Sequence, residues 1–147
     1  MSERNKALLR RGIDEVWHQG KLSVVDELTA ANCVFNDPSL PGGKVTGPEA
    51  YKQVVQMYRA AFPDLHISIN DQVAEGDKLV TRWTATGTHK GALMGIAPTG
   101  KRSTVTGISV EHYKDGKAAA AWNNWDTLGM LQQLGVVPTM APAGTPA

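Results

Sequence analysis

Trp122-Asn123-Asn124-Trp125-Asp126, running on to Leu131-Gln132-Gln133-Leu134-Gly135, is where side chains able to handle protons and carbonyl oxygens crowd most closely against aromatic rings. A carboxylate among indoles sits in a low-dielectric place. Its pKa rises there, so it can take a proton from an activated carbon and return one to an oxygen. Asp126 is the carboxylate of the stretch. Asn123 carries an amide that can donate to a carbonyl or enolate oxygen but cannot transfer a proton. Asp126 also stands just before a short amphipathic run, where aspartate caps a helix. Strand alternation sends Asn123 and Trp125 to one face and Trp122, Asn124 and Asp126 to the other, so one set fills a pocket unless a bulge intervenes. An Asn124/Asp126 pocket favours an enzyme; an Asn123/Trp125 pocket favours a binder, or a catalyst working without that carboxylate. His89, in Gly87-Thr88-His89-Lys90-Gly91, lies where a strand meets a glycine-rich loop and could orient or assist a carboxylate. The four histidines are not spaced for zinc, and no phosphate-binding loop or nucleophile motif is present.

The elements that must position these groups follow from periodicity. Leu9, Ile13, Val16 and Trp17 lie on one face of a helix opened by Ser2 and Glu3 and stopped at Gly20. Ser23 and Asp26 resemble a capping box for a second, short helix that stops near Asn32. Cys33-Val34-Phe35 reads as a brief strand, and Asn36-Asp37-Pro38 with Pro41-Gly42-Gly43 as a loop in which Asp37 is a natural turn residue. Gly47-Pro48-Glu49 starts a long helix that carries Tyr51, Val54, Val55, Tyr58 and Phe62 on one face and ends at Pro63. Alternation takes over at Leu65, Ile67 and Ile69, and Glu75-Gly76-Asp77-Lys78 turns into a strand from Leu79 to His89. Residues 90–100, with three glycines and a proline, form a loop that could act as a lid. Thr104–Tyr113 and Ala118–Trp125 pair as a hairpin through Asp115-Gly116, the dipeptide a type I′ turn wants. A closing helix spans Thr127–Leu134. Helices first and hairpin-linked strands after them predict an α+β fold, a curved and mostly antiparallel sheet with helices against one face. Residues 1–137 form a single domain and 138–147 a flexible C-terminal tail.

At 147 residues and a net charge of +1, with basic and acidic residues interleaved, the chain offers no electrostatic footprint for nucleic acid or an anionic membrane. The single cysteine, Cys33, fits a reducing compartment, and no window is long and apolar enough for a membrane span, so a cytoplasmic location is expected.

Several phrases resemble the SnoaL-like polyketide cyclase, or ester cyclase, family of the nuclear transport factor two-like superfamily. They are Glu15-Val16-Trp17-His18-Gln19-Gly20, Ala61-Phe62-Pro63-Asp64-Leu65-His66, Gly87-Thr88-His89, Gly95-Ile96-Ala97-Pro98-Thr99-Gly100-Lys101, Asp115-Gly116-Lys117 and the Trp122–Gly135 stretch, in the family's order up to Val137. The resemblance implies a cone-shaped α+β barrel with helices packed on the concave face of the sheet, enclosing a pocket and dimerising through the sheet. It implies aldol ring closure on a hydrophobic carbonyl compound by an acid/base aspartate, with no metal and no cofactor. Asp126 is the first choice for that role. Asn123 stands where many relatives carry an acid, and relatives often have an acid near Asn36 and Asp37. Trp17, Asn36, Tyr51, Met57, Tyr58, Phe62, Trp83, Met94, Ile96, Asn124 and Trp125 would then contact the substrate. Ala118-Ala119-Ala120-Ala121 departs from the family's pattern, and four small side chains would widen whatever space they face. Other functions compatible with the resemblance are a related isomerase or lyase working by the same acid/base chemistry, a non-catalytic small-ligand-binding protein and, ranked lower, an epoxide-type hydrolase.

Overall fold

Alternation builds the sheet. In the computed structural model, which describes residues 2–139, strands β3 (His66–Glu75), β4 (Lys78–Thr88), β5 (Arg102–Lys114) and β6 (Lys117–Trp125) run antiparallel to one another in sequence order. On β4 the odd-numbered residues Leu79, Thr81 and Ala85 are buried and the even-numbered Arg82 is exposed. Asp115 and Gly116 take φ values of +53° and +77°, the pair of left-handed residues that a two-residue hairpin needs. Two bulges bend the sheet. Asn70 is skipped in the β3–β4 register, and Ala119 is the extra residue between the Tyr113–Ala118 and His112–Ala120 pairs. Gly107 permits a close approach on the concave side, because a Cβ there would run into the Trp83 ring.

The remaining elements are α1 (Ser2–Arg11), a π-helical continuation (Gly12–His18), α2 (Ser23–Leu28), β1 (Thr29–Asn36), β2 (Lys44–Thr46), α3 (Pro48–Ala61) and α4 (Thr127–Gln133). Gly20, at φ +72°, ends the first helical stretch; the Arg59 guanidinium lies over it and donates to the Trp17 and His18 carbonyls at 2.7 and 3.0 Å. The strand order is β2-β1-β6-β5-β4-β3, with β1 parallel to β6 and β2 antiparallel to β1. The α+β class with a curved sheet is as the sequence implies. The sheet is not closed, however: β2 and β3 are its free edges, so the barrel is an open one.

Two local expectations are corrected. Ser23 makes no cap hydrogen bond, and Asp26 instead accepts from Lys52 Nζ at 2.8 Å, tying α2 to α3. The short helix also stops at Leu28 rather than near Asn32, because Thr29 is drawn into the parallel ladder opposite Ala118. Strand β2 has no alternation to reveal it, being three residues paired only with β1.

Apolar side chains gather in three clusters, around Phe62, Leu93 and Met130, around Val16, Val25 and Val55, and around Cys33, Leu79 and Tyr113. Burial pushes the Cys33 thiol up to about 11, so this cysteine behaves as a small core hydrophobe. No helix among the described residues is long and apolar enough to cross a membrane. The expected tail falls almost entirely on residues 140–147, outside the described ones.

Candidate active site

The inward faces of β4, β5 and β6, roofed by the first helical stretch and α3, leave a cavity of about 240 Å³. Its walls are mainly apolar, and among the described residues no Lys, Arg or His side chain lines it. An aromatic belt runs around it. Phe35 stacks on Tyr51 at 4.2 Å between ring centres, the Trp17 indole N–H donates to the Tyr51 hydroxyl at 2.9 Å, and Tyr58 meets both Trp17 and, edge-on at 5.9 Å, Trp125. Burial raises the Tyr51 and Tyr58 phenols above the ordinary value, so both stay protonated hydrogen-bond donors at neutral pH.

One chain of hydrogen bonds crosses this apolar space, and each link fixes the next. Trp83 on β4 can only donate, and does so to Ser109 Oγ on β5 at 3.0 Å. The Ser109 hydroxyl then has one proton, which goes to Asn123 Oδ1 on β6 at 2.8 Å. That orients the amide so that Nδ2 donates to Asp37 Oδ2 at 3.1 Å. Asp37, just after β1, is 7% exposed, and its other oxygen accepts from Ser39 N–H and Oγ–H at 2.8 and 2.7 Å. Four elements thus hold one carboxylate at the cavity wall, with a second lone pair of Oδ2 and a second amide proton of Asn123 left for a ligand. The Tyr58 hydroxyl also lines the cavity, buried beside Ser39 and Asp37 and without a hydrogen bond of good geometry among the described residues.

A second carboxyl faces the same space. Glu111 lies one inward step beyond Ser109 on β5, 9% exposed, with its Oε2 accepting from the Tyr113 hydroxyl at 2.8 Å. Burial pushes Glu111 up to about 7, against the partly opposing Tyr113 hydrogen bond. The Tyr113 phenol is in turn raised by burial and by the neighbouring Glu111.

Of the residues expected from sequence, Asn123, Trp125, Trp17 and Asn36 line this cavity. So do Tyr51, Tyr58, Phe62 and Trp83. The others stand elsewhere. Asp126 is exposed; its Oδ1 caps α4 by accepting from Gly129 N–H at 2.9 Å, and it does not line the cavity. Asn124 is on the convex face opposite Ile108. Met57 packs into the Phe62 cluster rather than lining the cavity. His89 is fully buried outside the cavity lining. Its Nδ1 accepts from Thr99 N–H at 3.2 Å, and its backbone pairs with Gly100 and Lys101, so it closes the base of the 90–100 loop. That loop is no free lid: Lys90 and Gly91 N–H both donate to the Ala61 carbonyl, and Leu93 is buried in the core. Met94 and Ile96 sit on its tip, away from the cavity lining. Sequence reading missed Glu111, Tyr113 and Ser109, and for Asp37 it favoured the turn role over the acid that relatives often carry near this place. An acid placed two residues from Ser109 and Tyr113 on an alternating strand was the available signal for Glu111.

A curved open sheet with a helix-covered apolar cavity, two inward carboxyls and an aromatic belt is an architecture of the α+β cone type. The comparisons with known proteins narrow the class. The profile of the SnoaL-like polyketide cyclase family matches residues 7–134, and the chain belongs to that family. It is 29% identical over 120 residues to the nogalonic acid methyl ester cyclase of Streptomyces nogalater, covering 81% of this chain and 89% of that one. Among solved structures it is similar to IdmH of Streptomyces antibioticus, proposed to be a polyketide cyclase, with 31% identity, a TM-score of 0.78 and coverage of 90% and 99% of the two chains. It is also similar to AclR of Streptomyces galilaeus, proposed to be a hydroxylase, with 28% identity, a TM-score of 0.81 and coverage of 96% and 86%.

Proposed function

We propose that the protein is a cyclase-type acid/base enzyme acting without a cofactor on a hydrophobic carbonyl compound, and that Asp37, rather than Asp126, is its proton carrier. The observation that carries this reading is the Trp83–Ser109–Asn123–Asp37 chain, which holds a buried carboxylate at the wall of an aromatic cavity. In an aldol closure, Asp37 takes the proton from a carbon next to the substrate carbonyl. The free N–H of Asn123 and the buried Tyr58 hydroxyl hold the enolate oxygen. The aromatic belt folds the substrate so that the enolate carbon meets a second carbonyl carbon. As the new carbon–carbon bond forms, that carbonyl oxygen recovers the proton from Asp37. Asn123 then has the work its residue type allows, hydrogen bonding and not proton transfer.

The test is turnover on a panel of aromatic polyketide esters. Asp37→Asn, which keeps size and several hydrogen bonds, is expected to lose about 100-fold or more in kcat, the usual contribution of a positioned general base. Undiminished turnover in that variant would overturn the assignment. The amide at position 123 favours one further reading, a binding protein that holds a small apolar ligand unchanged. Native mass spectrometry of fresh protein separates the two, since a retained and unmodified ligand supports binding alone. We also propose a homodimer through the convex sheet face, where Val73, Ile108 and Trp122 are 62%, 49% and 40% exposed. Sedimentation of the wild type and Trp122→Glu tests this: a monomeric wild type excludes it.

A further inference from the structure

The cavity's second carboxyl has no part in the proton transfer at Asp37, yet it is built in with equal care. Glu111 shares the inward face of β5 with Ser109, and at about 3.4 Å of rise per strand residue the two positions stand about 7 Å apart. The Tyr113 hydroxyl occupies Oε2. Among the described residues no cation lines the cavity to pair with a Glu111 carboxylate. The titratable groups acting across this end are Cys33 of β1, Tyr51 of α3 and Tyr113 of β5 itself. Each is held uncharged by burial, and β4 brings only Leu79 opposite. A carboxyl in such surroundings keeps its proton, and with Oε2 accepting from Tyr113 that proton lies on Oε1, where it can be offered to a ligand.

We propose that Glu111 is a specificity determinant of this cavity: as a neutral carboxylic acid it donates a hydrogen bond to a second, uncharged oxygen of the substrate, one strand step from the group handled by Asn123 and Asp37. The substrate class this defines is a fused-ring or folded hydrophobic compound with two oxygen functions separated by about one ring. The inference rests on the cavity being the substrate site. Its reach is separate from catalysis, because Glu111 selects the ligand and Asp37 moves the proton.

Calorimetric titration with 6-methoxy-1-tetralone and its isostere 6-ethyl-1-tetralone isolates the second oxygen. At pH 6 the wild type is expected to bind the methoxy ketone about tenfold more tightly, the effect of one buried hydrogen bond. At pH 8.5, where Glu111 is ionised and can only accept, that preference should vanish. Glu111→Gln retains an N–H donor and should keep the preference at both pH values, whereas Glu111→Leu should lose it at both. Thermal melts confirm that each variant is folded. A wild-type preference that Glu111→Leu retains, or that does not change with pH, overturns the proposal, as does equal binding of the two ketones at pH 6. In those cases the cyclase reading stands, since it is read by turnover of the Asp37 variant. Failure of both ketones to bind the wild type overturns the substrate-site reading, and this inference with it.

Discussion

Replacing Glu111 by Gln should make the protein more stable at alkaline pH and change its stability far less in acid. In the unfolded chain this carboxyl titrates near 4.5; in the fold, burial raises it to about 7. Below 4.5 the group is neutral in both states and contributes no pH-dependent penalty. Between 4.5 and 7 the unfolded chain gives up the proton while the native protein keeps it, so stability falls as pH rises through that window. Above 7 the native carboxyl is ionised as well, and the penalty levels off. At about 1.4 kcal/mol per pH unit, the gap between the two values is worth about 3 kcal/mol. The glutamine amide would still accept the Tyr113 hydroxyl but carries no charge to desolvate, so the variant lacks this term altogether. Urea unfolding of both proteins from pH 4 to 8.5 measures it, and taking the difference between them at each pH cancels the titration of every other group. The variant should gain about 3 kcal/mol relative to the wild type over that range, or roughly 10 °C in Tm. A difference that stays constant with pH would show that Glu111 is not held neutral in the fold. It would also remove the physical basis for its donating a hydrogen bond.

Two further outcomes test the rest of the site. Asp126→Ala removes the cap on Gly129 N–H and should cost about 1 kcal/mol in chemical denaturation while leaving turnover on the ester panel unchanged; a loss of turnover in a folded variant would return Asp126 to the chemistry. Ala121→Leu places a large side chain on the cavity wall and should abolish calorimetric binding of the tetralones without unfolding the protein. Unaltered binding would mean that the ligand site lies elsewhere.

Much of the fold was legible because long strands and a long helix carry strong periods. Strands β3 to β6, the Asp115-Gly116 hairpin and the Pro48 helix start all rest on local chemistry that tertiary contacts do not override. What escaped was set by pairing across the chain. Strand β1 begins at Thr29 because β6 lies beside it, and β2 exists only because β1 offers an edge. The alanine run was readable as a widened space, and Ala118 and Ala121 do line the cavity. Nothing in the sequence shows that Ala119 is the bulge that shifts the register beside them.

The site divided along the same line. Alternation reduced the last strand to two possible faces, and the structure turns the one with Asn123 and Trp125 inward, Asn123 toward Ser109 and Asp37 and Trp125 against Tyr58. By itself that face carries no acid, and a reading confined to one strand would therefore favour a binder. The carboxylate arrives from the neighbouring strand: Asn36 lies opposite Trp122 in the parallel β1–β6 ladder, which brings Asp37 alongside Asn123. Asp37 is at once the turn residue that its position before Pro38 suggests, accepting from Ser39 N–H through one oxygen, and the inward acid, meeting Asn123 through the other. Local turn chemistry and the proposed proton station use different oxygens of one side chain. An amide at position 123 is therefore compatible with acid/base chemistry at Asp37, since an acid there would set two carboxylates against each other where the amide now bridges Ser109 to Asp37. Installing that acid, as Asn123→Asp, puts two like charges in contact and breaks the bridge, so on this reasoning it lowers turnover instead of restoring it.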